Sequence, residues 1–95
     1  GIEPFSAMRK GRYKVIYFYG DGVADGAGYD PRVELYDLSL DLSEAHDLAG
    51  SEAKRCIALR DELVGWLQRV GAGIPIIKAT DKPAALPAAG SPLHQ

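Results

Sequence analysis

The stretch Tyr13-Lys14-Val15-Ile16-Tyr17-Phe18-Tyr19 constrains this chain more than any other. It is aromatic and β-branched throughout, the composition of a strand. Read at period 2, Val15, Tyr17 and Tyr19 fall on one face and Ile16 and Phe18 on the other. A strand that is apolar on both faces has to be central in its sheet or covered on both sides. The chain has 95 residues with which to provide that cover, room for one small domain. A domain of this size buries only about 60–65% of its unfolded surface, so its core is thin. At 46% hydrophobic and 25% charged residues the chain has enough apolar surface to exclude wholesale disorder. No apolar run comes near the ~18–20 residues of a membrane-crossing helix. The single cysteine, Cys56, excludes a disulfide within these residues and a cysteine-rich zinc site. The opening Gly1-Ile2-Glu3-Pro4 has no basic or apolar region of the kind a signal peptide carries.

The remaining elements arrange themselves around this strand. Residues 5–10 read as a short strand, and Gly11-Arg12 supplies a turn. Residues 20–31, rich in glycine and aspartate, form a long connection to a further strand over 32–38. A polar loop follows over 39–50. From Ser51 the period changes to 3.6: Cys56, Leu59, Leu63, Trp66, Leu67 and Val70 share one stripe, widened by Ile57 and Val64. The spacing predicts a helix over 51–70, with Ser51 as N-cap and Gly71 as stop. Arg60 lies within the apolar sector and is expected to snorkel or to pair with Asp41 or Glu44. Residues 74–95 are rich in proline and alanine, lack periodicity, and are expected to be a partly extended or disordered tail behind a folded unit over 1–73. The fold expected is α+β: a small antiparallel β-sheet of three to four strands with one amphipathic C-terminal α-helix packed on it. One helix covers one face. The second face, or a sheet edge, is expected to meet material from outside this chain.

Charge is arranged in blocks. Residues 1–19 carry +3, residues 20–52 carry −8 and residues 53–95 carry +3. An acidic centre between basic flanks points to attraction within the fold. It lacks the basic excess of a nucleic-acid surface, and no nucleic-acid partner is expected.

Two segments carry a family resemblance. Ala7-Met8-Arg9-Lys10-Gly11-Arg12-Tyr13-Lys14-Val15-Ile16-Tyr17-Phe18-Tyr19 resembles the first hairpin of the C-terminal subdomain of sulfatases, which belong with the alkaline phosphatases. There a strand ending in Arg-x-Gly precedes an aromatic residue, a lysine and an apolar strand. Glu34-Leu35-Tyr36-Asp37-Leu38, continued to Ala49, is similar to a second signature of that family, and the helix ending in Trp66-Leu67 stands where its terminal helix would. Leu42 departs from a common proline, and His46-Asp47 from common asparagine-containing pairs. The resemblance spans Phe5 to Gly73. It implies the minor lobe of a sulfuric ester hydrolase whose catalytic domain, with its formylglycine nucleophile and calcium ligands, lies outside these residues. Cys56, in Arg55-Cys56-Ile57-Ala58-Leu59, does not match the C/S-x-P-x-R nucleophile motif. No cofactor is therefore expected in this chain, and formylglycine and calcium belong to the parent only. If the parent resembles typical bacterial sulfatases, it is periplasmic or secreted.

The candidate sites are few. Arg9, Lys10, Arg12 and Lys14 cluster about the first turn, and fixed guanidinium donors suit sulfate as they suit phosphate. The competing reading pairs them with the acidic block. Asp21, Asp25 and Asp30 invite calcium, but the twelfth position counted from Asp21 is Arg32, where the EF-hand pattern needs a glutamate. His46 sits among acids without a second histidine nearby. Cys56 is predicted in mid-helix and facing the core. No catalytic residue and no metal site are assigned. The expectation is a structural, substrate-lining subdomain that is not active alone, with the missing catalytic domain as its partner. The alternative is a free-standing interaction module that forms a homo-oligomer, or binds a partner, through its exposed sheet edge.

Overall fold

A computed structural model describes residues 4–20, 31–71, 74, 76–77 and 82–93. Three strands, β1 (Phe5–Lys10), β2 (Tyr13–Phe18) and β3 (Arg32–Asp37), form one antiparallel sheet in the order β1-β2-β3. A helix, α1 (Ala53–Val70), packs on it, and two short strands, β4 (Ile76–Ile77) and β5 (Lys82–Pro83), pair antiparallel with each other. The arrangement is α+β, with the doubly apolar strand in the centre as its composition requires. The β1–β2 connection has two residues, with Gly11 at φ +59°, the positive φ that glycine supplies at the first loop position of a II′ hairpin.

The register assigns every side chain to a face. Val15 pairs with Met8 and Leu35, and Tyr17 with Ser6 and Val33. These positions face α1, where Cys56, Leu59, Leu63 and Leu67 complete the core. Tyr17 and Tyr19 meet edge to face, with ring centroids 5.2 Å apart. The Tyr19 hydroxyl shares a 2.6 Å hydrogen bond with the Ser6 hydroxyl, which keeps a polar tip satisfied at the core margin. The other face carries Phe5, Ala7, Arg9, Lys14, Ile16, Phe18, Arg32, Glu34 and Tyr36. Ile16 and Tyr36 on it are each only 7% exposed. The Arg32 guanidinium lies 3.9 Å from the centroid of the Phe18 ring, and Phe5 and Phe18 are 5.9 Å apart. Part of the apolar surface expected to need outside cover is thus shielded by an arginine of this chain.

The helix departs from expectation at its start. It begins at Ala53, and the Ser51 hydroxyl reaches back 3.4 Å to the Leu48 carbonyl instead of capping. Leu48 also accepts the Glu52 N–H at 2.8 Å, so a preceding turn occupies Ser51 and shifts the N-cap to Glu52. The stop holds: Gly71 adopts φ +64°, and its N–H donates to the Leu67 carbonyl at 3.0 Å. Trp66 and Val70 are about half exposed, so the buried stripe is narrower than the periodicity suggests. Arg60 is buried at 2% exposure and does not reach Asp41 or Glu44. Its guanidinium donates to Asp61 at 3.0 Å and to the Ala88 carbonyl at 3.3 Å, while Asp61 accepts the Gly90 N–H at 2.8 Å. That polar lock ties residues 88–90 to the helix. Ala84 is buried in the core, and Ile74, Leu86 and Leu93 pack against it. These residues of the proline- and alanine-rich segment contribute to the core despite their lack of periodicity, because single apolar contacts and one buried arginine hold them.

Leu63→Ala removes a side chain from the centre of the core and is expected to lower unfolding stability by about 3 kcal/mol. Leu42→Ala, at a highly exposed loop position, should change it by less than ~0.5 kcal/mol. Denaturant midpoints of the two variants check the contrast.

Candidate functional site

The β1–β2 turn and the first half of α1 bound an open cleft of about 840 Å³. Tyr13 and Leu59 supply its apolar walls, and Lys10, Arg12, Lys54 and Arg55 bring four cations to it, with Glu62 as the acid. Two guanidiniums lie over the Tyr13 ring, Arg12 at 5.2 Å from its centroid and Arg55 at 4.6 Å. Arg12 Nη2 donates to the Tyr13 hydroxyl at 3.3 Å, and Arg12 Nε stands 2.9 Å from Asp37 Oδ2. The bond to Tyr13, then the field of Asp37, raises the Arg12 pKa above its ordinary value. Arg55 Nε donates to Glu52 at 2.9 Å, a contact that, with Tyr13, raises its pKa as well. Lys10 Nζ pairs with Glu62.

The four bases singled out in the sequence do not converge. Lys10 and Arg12 border the cleft. Arg9 and Lys14, cross-strand partners, lie on the opposite face of the sheet. Lys14 Nζ is 2.8 Å from Glu44 Oε2, and Arg9 Nε donates to the Gly11 carbonyl at 3.2 Å. Strand alternation puts Lys14 and Arg12 together only if the strand extends through Arg12. The turn at Gly11-Arg12 breaks the alternation there. Lys54 and Arg55 lie some forty residues away in sequence, and no local signal connects them to the hairpin. Only the docking of α1 on the sheet brings them in.

The acidic loop after β3 serves the backbone. Asp47 Oδ1 accepts the N–H groups of Leu35, at 2.9 Å, and Ala49, at 3.0 Å. The Leu48 N–H donates to the Leu35 carbonyl at 2.7 Å. Asp37 Oδ1 accepts both the hydroxyl and the N–H of Ser39, at 2.6 and 3.0 Å. Asp41 accepts the N–H groups of Ala45 and His46 and the Ser43 hydroxyl. The Ser39 hydroxyl, its N–H and Arg12 hold the Asp37 pKa below the usual carboxylate value. The Ala45 and His46 N–H groups do the same for Asp41. Glu44, inside this clamp, has φ +56°, a left-handed conformation unusual for a residue with a side chain.

His46 is exposed, with Nδ1 3.5 Å from Asp41 Oδ2. Among the described residues no group of three or more His, Cys, Asp or Glu side chains stands together to hold a metal. Asp21, Asp25, Asp30 and His94 lie outside the described residues. Cys56 is fully buried, and burial, reinforced by Asp47, pushes its thiol up to about 11. Burial and the bond donated to Glu34 likewise raise the Tyr36 phenol above its ordinary value. Compared with known proteins, the chain matches no family model and no curated protein.

Because Asp37 and Asp41 titrate lower in the fold than in the unfolded chain, near ~3.9, their contribution is present above that pH. It is lost as the pH falls through their folded values. The melting temperature is therefore expected to drop on the acid side of ~pH 4, and Asp41→Ala should lower it at neutral pH and flatten the acid dependence. Thermal unfolding followed by circular dichroism across pH measures both effects. Asp47→Ala orphans the Leu35 N–H and should cost about 1 kcal/mol at neutral pH, read from the urea midpoint.

Proposed function

We propose that this chain is a structural, substrate-lining subdomain of a sulfatase-like sulfuric ester hydrolase, not active by itself. The observation that carries the reading is the division of labour across the two segments that bear the resemblance. In the second segment Asp37, Asp41 and Asp47 spend their carboxylates on backbone donors, as a fold-determining clamp does. In the first, the hairpin turn presents Lys10, Arg12 and Tyr13 to an open cleft that α1 completes with Lys54 and Arg55. A cleft with cations beside an apolar wall suits a sulfated ring: guanidinium and ammonium donors meet the sulfate oxygens, and Ala58 and Leu59 meet the apolar side of the sugar or aryl ring. Lys10, Arg12 and Arg55 are already paired with carboxylates, so the expected affinity is weak, as befits one wall of a larger site. The catalytic wall, with the nucleophile and metal that the resemblance implies for the parent, would come from the missing domain.

Two measurements test the reading. The chain should not hydrolyse an aryl sulfate above buffer, with or without calcium. A sulfated disaccharide titrated into labelled protein should shift the signals of Tyr13, Lys54 and Arg55. Lys54→Ala should weaken that binding about threefold, and added salt should weaken it further. Turnover by the chain, or a titration that leaves the cleft signals unmoved, overturns it.

A further inference from the structure

The two edges of the sheet are finished differently. In the β2–β3 ladder the Leu38 N–H donates to the Arg12 carbonyl at 2.7 Å, which turns the backbone groups of Val33, Leu35 and Asp37 away from β2. That edge is occupied at its centre. Leu35 is bonded on both its groups by Asp47 and Leu48, and the Asp37 carbonyl accepts the N–H groups of Leu40 and Asp41. In the β1–β2 ladder the Tyr19 N–H donates to the Pro4 carbonyl at 3.1 Å, and the same alternation turns Phe5, Ala7 and Arg9 outward. Among the described residues no strand pairs with that edge. All three side chains are exposed, Phe5 at 53%. On the opposite face of the sheet, Trp66 of α1, also about half exposed, stands beside the same edge in a groove shared with Met8 and Arg69. Large apolar surface therefore flanks one open strand on both sides.

We propose that β1 pairs antiparallel with β1 of a second copy of this chain, about a two-fold axis at Ala7, to make a continuous six-stranded sheet. The edge is complementary to itself in this register. Phe5, Ala7 and Arg9, the outward-turned positions, become the bonded positions, with Ala7 opposite the same residue of the second copy and Phe5 opposite Arg9. Each such pair exchanges two N–H···O=C bonds. The side chains agree with the backbone. Arg32, Phe18 and Phe5 already form one rung across the sheet, with a guanidinium over the first ring and the two rings in contact. Arg9 of the second copy extends that rung with a second guanidinium beside Phe5, and the axis repeats the arrangement. Arg9 has no carboxylate partner among the described residues, whereas Lys10 pairs with Glu62 and Lys14 with Glu44. Shifting the axis one residue to Met8 leaves Phe5 unpaired within β1 and brings the two Arg9 side chains closer. Shifting it to Ser6 leaves Arg9 unpaired within β1, so the register centred on Ala7 is the one that pairs all three outward residues. A two-fold axis normal to the sheet keeps both helices on one side, with Trp66 of each copy facing the shared edge. The proposal does not depend on the sulfatase reading, and no sulfated ligand enters its test.

Sedimentation velocity on the 95-residue chain, from dilute to concentrated solution, should show the mass rise from one copy to two. Cysteine substitution then reads the register. Paired Ala7 positions would lie about 5.5 Å apart at Cα, within the ~4.4–6.8 Å that a disulfide spans. Ala7→Cys should therefore cross-link under mild oxidation. Phe5→Cys alone and Arg9→Cys alone should not, since like positions stand more than ~13 Å apart, yet a mixture of those two variants should. Wild type, whose Cys56 is buried, is the control and should not cross-link. Ala7→Pro removes an outward N–H without touching the β1–β2 ladder. It should abolish association with the helical circular dichroism unchanged. A chain that stays monomeric at every concentration, or Phe5→Cys cross-linking as readily as Ala7→Cys, overturns the proposal. So does a folded Ala7→Pro variant that associates like wild type. If Ala7→Pro does not fold, the cysteine series decides alone.

Discussion

Everything in this fold answers to the demand of β2 for cover on two faces and partners on two edges. Val15, Ile16 and Tyr17, consecutive and pointing alternately up and down, are all buried. One face is met in the economical way, by an amphipathic helix whose Leu59, Leu63 and Leu67 are spaced to contact a single sheet surface. The other face has no second helix among the described residues. It is served instead by long polar side chains: Arg32 lies over Phe18, Glu34 accepts the Tyr36 hydroxyl, and Lys14 pairs with Glu44. A chain too short for two helical layers can still shield a second face with the aliphatic and planar parts of its arginines and lysines.

The loop from Ser39 to Gly50 shows how a polar segment can be as structural as a strand. It carries no apolar pattern, and from sequence its acids are expected to pair with the bases of the first turn and with Arg60. In the fold they replace missing backbone acceptors: Asp47 caps the strand edge at Leu35 and the turn at Ala49, and Asp41 closes the loop on its own chain. A carboxylate that accepts two N–H groups is held both in place and in its charged form. This also occupies the centre of the β3 edge, whereas no loop engages the β1 edge among the described residues. The asymmetry of the two edges follows from which strand happens to be followed by an acidic loop.

What was legible in the sequence was whatever repeats at a short period. The three strands were expected at 5–10, 13–19 and 32–38 and are found within a residue of those bounds, because alternation and glycine turns are local signals. The helix stop at Gly71 was legible for the same reason. Its start was not, since the competitor for Ser51 is the Leu48 carbonyl, a partner that only the turn brings within reach. Arg60 was legible as a buried cation but not its partners, because Asp61 is adjacent in sequence and the Ala88 carbonyl lies in a segment without pattern. The cleft was half legible. Its hairpin side, Lys10 and Arg12, stood out as a basic cluster, whereas Lys54 and Arg55 are ordinary residues of a helix surface until the helix is docked.

The charge blocks take on a different meaning once these contacts are in place. A −8 stretch between two +3 stretches suggested attraction between segments, and some of it is that: Arg12 meets Asp37 and Lys14 meets Glu44 across the boundary of the first two blocks. Asp41 and Asp47, however, accept backbone N–H groups, and Arg55 and Arg60 take their carboxylates from Glu52 and Asp61 on their own stretch of chain. Surface ion pairs contribute little each, whereas an acceptor for a buried backbone donor cannot be removed without orphaning it. Among the described acids of the middle block the labour is divided: Asp37, Asp41 and Asp47 accept backbone N–H groups, while Glu34, Glu44 and Glu52 pair with cations. The cations of the basic hairpin are donors and cannot serve a backbone N–H in this way; Lys10 and Arg12 take the carboxylates of Glu62 and Asp37 and stay at the surface. There they are available to whatever lies beyond the edge of β1 and above Tyr13.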